Sequence, residues 1–516
     1  MKGAVAAGHE LTAKAATEIL QDGGNAFDAV IAAHLAACVA EPVLSSLGGG
    51  GFLMAKTSNG QPVLYDFFVQ TPIHKAGEQE LDFYPIRADF GETGQTFHIG
   101  SASMATPGTV KGIFAIHRDL CSLPMNRLAE PAIRLAREGV PVNEFQSSIL
   151  DIIEPIFRSN REVRELYKSN IEPGMLQRPG DHFQNSEFAD LLEALADEGD
   201  ELFYQGECAE KITRLCGENG GLLRKEDLSE YQVIKREPLG ETYRGETLIL
   251  NPAPSSGGSM ILFALKLLEK IVEMPGDIQK PDQPYIHALA EVLFATEKTR
   301  LEVLSNKVAK SMRGLFENKL MFEEALSTVK NGLNVSRGTT HISIIDAAGN
   351  MASLSTSNGE GSGVLIPGTG VMMNNMLGEE DLNPAGLHNW QQNRRMTSMM
   401  APGFLIKQDG SEYVFGSGGS SRIRSALLQL ILNLIDFGMS TERAVNLPRI
   451  HAEADYLNIE PGFSAEIEEF LLKNYPKSKR WESQSLYFGG THIVSRSGER
   501  IEGNGDPRRG GVYIQC

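Results

Sequence analysis

The run NVSRGTTHISIID, Asn334 to Asp346, sets two adjacent threonines and a histidine at the mouth of an apolar, strand-like segment. A threonine hydroxyl is a weak nucleophile and needs a base, and no Asp or Glu stands beside this one. At a chain N-terminus a threonine supplies its own base, because its α-amine titrates near pH ~8, close to working pH. An internal threonine reaches that state if the bond before it is cut. Gly338–Thr339 suits such a cut: glycine adds little bulk, and the Thr339 hydroxyl could attack the preceding carbonyl to give an ester that water opens. The competing reading is an ordinary strand, where threonine is common, and the local residues by themselves favour it.

A partner hydroxyl follows from strand arithmetic. The segments HISIID and MASLSTS read as a hairpin about the turn Ala347–Asn350. Pairing Asp346 with Met351 sets Thr339 opposite position 358, so Ser357 and Asn358 come beside it.

The elements that must hold these groups read as a mixture of helices and strands. Thr12 is placed to cap a helix ending near Gln21, with Gly23 and Gly24 beyond it. Asn25 caps the next, AFDAVIAAHLAACVA, which carries Asp28 in its first turn and is apolar all round, hence buried. His34 within it reads as a core histidine. Glycines 48 to 51 precede an apolar strand and permit close approach of another segment. MNRLAEPAIRLAREGVPV is an amphipathic helix ended by glycine and proline. NPAPSSGGSMILFALKLLE joins a loop to a long helix, and helical patterning continues from about Gln279 to Met312. SALLQLILNLIDFGM is too short to span a bilayer and carries Gln429 and Asn433, so it reads as a core helix. Glycine, serine and threonine concentrate around 355–370 and 415–421, where backbone would approach a ligand. GEGSGVLIPG fits no phosphate loop, and no lysine follows it.

Composition narrows the function. The 516 residues are 41% hydrophobic, enough for a large core. A net charge of −18 repels nucleic acid and anionic membranes, so neither is an expected partner. The five cysteines are scattered, with no CxxC spacing, and read as reduced and structural. No stretch near Met1 has the apolar centre of a signal peptide, which gives a cytoplasmic expectation. The histidines form no metal-ligating pattern.

Seven segments together, GGNAFDAVIAA, LGGGGFLM, ATPGTVKG, PAPSSGG, GTTHISIID, MNNML and FGSGGSSRI, resemble the gamma-glutamyltransferase family in their order along almost the whole chain. The resemblance implies an α+β fold, the four-layer αββα sandwich of the N-terminal nucleophile hydrolases. It implies self-cleavage between Gly338 and Thr339 into segments 1–338 and 339–516 of one intertwined domain. Thr339 would be the nucleophile in processing and in catalysis. Ser357 would be its helper hydroxyl, and the backbone N–H groups of Gly419 and Ser420 the oxyanion donors. The implied activity is hydrolysis of, or acyl transfer from, gamma-glutamyl compounds such as glutathione, with no cofactor and no metal, and with a homodimer as one option for assembly.

Three positions depart from the family pattern. Phe68 stands where an arginine holds the substrate carboxylate, although the hydroxyls that share that carboxylate persist as Thr397 and Ser398, and Arg394 or Arg395 is a candidate replacement charge. Met376 replaces a glutamine on the amine side, where Glu379 holds the acidic position. The usual asparagine has shifted, leaving Asn358 nearest. These changes raise two alternatives: an acylase-like amidohydrolase with a non-glutamyl substrate, or a non-catalytic ligand-binding relative.

Overall fold

The computed structural model describes all residues except 90–93, 275–279, 306–337 and 384. In chain order the strands that build the core are β1 (Gly3–Ala7), β2 (Gly50–Lys56), β3 (Val63–Phe67), β4 (Ile234–Arg236), β5 (Leu239–Tyr243), β6 (Glu246–Leu250), β7 (Thr340–Asp346), β8 (Met351–Ser357), β9 (Gly403–Ile406), β10 (Glu412–Gly418), β11 (Gly490–Ser497), β12 (Arg500–Asn504) and β13 (Val512–Gln515). One sheet runs β13-β1-β7-β8-β2-β3-β4 and the other β12-β11-β10-β9-β6-β5. The sheets meet face to face through β7, β8, β10 and β11. Helices α1 (Glu10–Gln21) and α2 (Ala26–Ala40) cover the first sheet, and α3 (Gly257–Ile271) and α4 (Arg422–Ile435) the second. The four layers are helix, sheet, sheet, helix, as the resemblance implied.

Period-two alternation sorts each strand's side chains between two cores. Val5, Ala7, Leu53, Ala55, Ile342 and Ile344 face the α1–α2 layer. Ala4, Ala6, Phe52, Met54 and Ile345 face the other sheet. The inward faces of β7 and β8 also carry polar groups. His341 bonds Ser355 at 2.8 Å and Ser343 at 2.9 Å, the Ser343 hydroxyl donates to the His492 carbonyl, and that of Ser353 donates to the Phe415 carbonyl. Burial, then the neighbouring His492, hold the His341 pKa well below its usual value, so the ring is neutral.

The Asn25 capping box forms with Asp28, and α2 is buried along its whole length. α1, however, starts earlier than its sequence suggests. His9 caps it through Nδ1, which accepts from the Leu11 N–H, while the Thr12 hydroxyl donates instead to Glu41 at 2.8 Å. The hairpin register is also one residue off the expected one. Ile345 pairs with Met351, and Asp346, the last residue of β7, faces Asn350: its N–H donates to the Asn350 carbonyl at 3.1 Å and its carboxylate accepts from the Asn350 N–H and side-chain amide. The MNRLAEPAIRLARE helix spans Met125–Glu138 and ends at Gly139. The later helical run forms Gln283–Ser305, and the expected continuation to Met312 lies outside the described residues. All five cysteines are free thiols. Among the described residues no helix is long and apolar enough to cross a membrane, and no group of three or more His, Cys, Asp or Glu could hold a metal.

Candidate active site

β7 begins at Thr340, and Thr339 immediately precedes it. Thr340 pairs with Thr356, so the same register continued by one residue sets Thr339 opposite Ser357. Opposed residues of an antiparallel pair share a face. That face holds His341, Ser343, Ser353 and Ser355, between the sheets. The one-residue correction to the turn therefore brings Ser357 across from Thr339. The expected register would have set the two on opposite faces.

The two hydroxyls converge on one atom. Thr339 Oγ1 donates to the Gly338 carbonyl oxygen at 2.8 Å, and Ser357 Oγ donates to the same oxygen at 2.6 Å. The Gly359 N–H, at 3.0 Å, fixes the Ser357 hydroxyl in turn. Glu360 accepts the Gly338 N–H at 2.6 Å. The Gly338–Thr339 bond is thus held from both sides, with its carbonyl polarised by two donors. Thr340 points to the helix layer, where it donates to Glu41 at 2.8 Å. Burial raises the Glu41 pKa, against the opposing effect of the Thr340 and Thr12 hydrogen bonds.

The glycine run explains how these parts fit. A Cβ on Gly49 would collide with the Ser357 carbonyl, and one on Gly48 with the Met372 carbonyl. Only bare backbone lets the lead-in to β2 and the short strand Val371–Met372 close around the end of β8.

At the end of β10 the chain turns sharply into α4. Gly419 has φ +120° and Ser420 φ +47°. A left-handed serine is strained by roughly 1–2 kcal/mol. Neither N–H donates to another described residue, and Ser420 lines the same cavity as Thr339. Two backbone donors at a helix start are suited to a developing oxyanion. The Ser420 hydroxyl donates to Asp381 at 3.2 Å.

The cavity that Gly338, Thr339 and Ser357 share is about 20 Å³, room for about one water. Phe68 forms part of its wall, 1% exposed and stacked on Phe52 at 5.3 Å. Met376, Leu382, Met399, Met400 and Ile423 extend the apolar lining, and Ser398 and Glu379 complete it. Glu379 is 2% exposed, so it is no solvated surface charge.

Three expected contacts lie elsewhere. The Asn358 amide turns to the Met372 and Met373 carbonyls at 3.3 and 3.4 Å, because its side chain alternates away from Ser357. The Thr397 hydroxyl donates to the Pro254 carbonyl at 2.8 Å, while its neighbour Ser398 faces the cavity. Arg395 does not replace the missing charge. Its guanidinium lies 3.3 Å from Asp66 and bonds the Phe68 carbonyl, the Tyr231 hydroxyl and the Gln232 carbonyl. Arg394 is absent from the cavity wall.

Sequence reading missed Glu41, Glu360 and Arg509. Arg509 donates to the Thr339 carbonyl at 3.4 Å. Burial first, then the neighbouring Arg422, lower its pKa to about 10, which leaves it charged at neutral pH. The double arginine of DPRRGG, Arg508 and Arg509, was the available signal, since buried arginines demand partners.

A family model described as Gamma-glutamyltranspeptidase matches residues 12–516. The glutathione hydrolase proenzyme of Escherichia coli (strain K12) is 30% identical over 543 residues, covering 98% of this chain and 90% of that protein. The acylase ACY 1 proenzyme of Pseudomonas sp. (strain V22) is 31% identical over 490 residues, covering 91% and 86%. The solved cephalosporin acylase from Bacillus halodurans has the same fold, with a TM-score of 0.84 at 24% identity over 99% of this chain and 95% of that one. The Helicobacter pylori gamma-glutamyltranspeptidase structure matches with a TM-score of 0.52 at 27% identity, over 62% of this chain and 91% of that one. With a family match that runs from the first helix to Cys516, the chain belongs to the gamma-glutamyltranspeptidase family.

Proposed function

We propose that this protein is a self-processing amide hydrolase and acyltransferase whose nucleophile is Thr339, acting on gamma-glutamyl compounds such as glutathione or on related acyl amides. The observation that carries the reading is the pair of hydroxyls, Thr339 and Ser357, on the Gly338 carbonyl oxygen.

In processing, Thr339 Oγ attacks the Gly338 carbonyl carbon. Ser357 steadies the oxyanion. The C–N bond breaks, the proton passes to the Thr339 nitrogen, and water opens the resulting ester. Gly338 becomes a carboxylate terminus and Thr339 a free amine. In turnover that amine takes the hydroxyl proton as Thr339 attacks a substrate amide. The N–H groups of Gly419 and Ser420 meet the new oxyanion. The departing amine takes the proton, and water or a second amine releases the acyl group.

A second reading, an acylase with a non-glutamyl donor, is favoured by Phe68, whose ring occupies the wall where a cation would grip a carboxylate. Intact mass and N-terminal sequencing test the shared mechanism: two chains are expected, one beginning at Thr339. A single uncut chain that hydrolyses acyl p-nitroanilides would overturn it.

A further inference from the structure

Resting on the acyl-transfer reading above, we propose that Arg509 is a positioning residue for the nucleophile. Its guanidinium holds the Thr339 carbonyl in place and, once the bond to Gly338 is cut, keeps the Thr339 amine unprotonated at working pH. An amine that serves as the base must be free of its own proton before it can take another.

Arg509 closes the short turn Pro507–Arg509, and its side chain reaches Thr339 through a gap that three glycines keep clear. A Cβ on Gly490 would collide with the Arg509 methylenes. One on Gly418 would collide with the Thr339 carbonyl oxygen and lie 3.2 Å from Arg509 Nη1, and one on Gly419 would lie 3.3 Å from Nη2. The guanidinium therefore sits between the nucleophile's own carbonyl and the turn that carries the oxyanion donors. Nη1 donates to the Thr339 carbonyl at 3.4 Å, and Nη2 to the Leu486 carbonyl at 3.3 Å. The side chain is buried, so water screens its charge weakly.

The other charges around Thr339 are mostly carboxylates. Glu360, in the loop after β8, accepts the Gly338 N–H at 2.6 Å, and Glu41, at the end of α2, accepts from Thr340 at 2.8 Å. Glu379 lines the cavity. Asp381 accepts from the Ser420 hydroxyl and lies in the field of Arg300 and Arg424. Arg422, at the start of α4, bonds the Tyr487 carbonyl and the Ser421 hydroxyl, and His341 on β7 is neutral. Glu360 and Glu41, closest along the chain, would favour an ammonium at position 339 and hold the amine protonated. Arg509 interacts with both of these carboxylates while it touches Thr339 itself. Its charge disfavours a second cation on the amine and offsets the pull of the two carboxylates.

The self-cleaved enzyme is assayed against pH with L-γ-glutamyl or glutaryl p-nitroanilide, whichever it turns over faster. The acid limb of kcat/KM should titrate at about pH 7 or lower, below the ~7.7–8.0 of an ordinary α-amine. A limb at ~8 or above overturns the proposal. Arg509→Met should raise the limb by about one pH unit, whereas Arg509→Lys, which keeps the charge, should leave it within about 0.3 units of the parent. A slower Arg509→Met enzyme with an unmoved limb has lost structural support alone; it overturns the proposal and leaves acyl transfer intact. If Arg509→Met stays uncut, the limb of the parent decides. A cut parent that turns over neither amide overturns the acyl-transfer reading and this proposal with it.

Discussion

Thr339 and Thr340 differ only in position, yet the pleat gives them different work. Thr339 shares the inter-sheet face with Ser357, while Thr340 ties the strand to Glu41. Thr339→Ala should leave one chain of 56.3 kDa on a denaturing gel and abolish turnover, where the parent gives two. Thr340→Val should still be cut, with a loss confined to stability, about 1–3 kcal/mol for the unpaired Glu41 oxygen. Ser357→Ala removes one donor from the carbonyl under attack and should slow self-cleavage by about 10²–10³, read as a time course on gels. Ser357→Thr should restore much of that rate. Motif alone drew attention to Thr339, Ser357, Gly419 and Ser420, whereas the expected strand parity would have turned Ser357 to the face away from Thr339. Arg509 was not legible, because its contact to Thr339 spans 170 residues and arises only when the last strands dock.

Register decides whether the hairpin works, and a turn residue decides the register. Asp346 is the last strand residue, as composition suggests, but it faces Asn350 rather than Met351, because its carboxylate holds the Asn350 N–H and side-chain amide. Period-two reasoning identified both strands and could not see that hydrogen bond. α2 was legible throughout, because an N-cap and an unbroken apolar run leave little else for it to do. The polar seam between the sheets was not, since serines in a strand give no sign of which partner they meet. His341 sits in that seam, neutral and bonded on both nitrogens. His341→Leu should lower the melting temperature, through roughly 1–3 kcal/mol for each serine left unpaired. It should leave the acid limb of the pH–rate profile unmoved, because that limb is expected to report the Thr339 amine.

The two segments on either side of Gly338 are woven through one sheet: β7 and β8 from the second lie between β1 and β2 of the first. Cut chains should therefore co-elute on a sizing column and part only in denaturant. The C-terminal region is anchored by Asp506, which ion-pairs with Arg449 at 2.6 Å and Arg508 at 3.2 Å. Burial alone would raise its carboxyl, but the two guanidinia, with the Thr491 N–H, outweigh burial and hold it at about 2. A depressed carboxyl stabilises the fold above the unfolded pKa of ~3.9 and loses that contribution as pH falls through the folded value. Asp506→Asn should cost about 3–5 kcal/mol at neutral pH, and the gap to the parent should close between about pH 4 and pH 2 in thermal melts. The outer strands hold one more consequence. β13 lies against β1, and the Cys516 N–H donates to the Gly3 carbonyl at 3.0 Å. A short peptide could join those ends, and the gene could be reopened at Thr339. Such a circular permutant, trimmed of its initiator methionine, would be translated with its nucleophile already exposed. It would ask whether this fold needs its precursor for assembly or only for the chemistry of release.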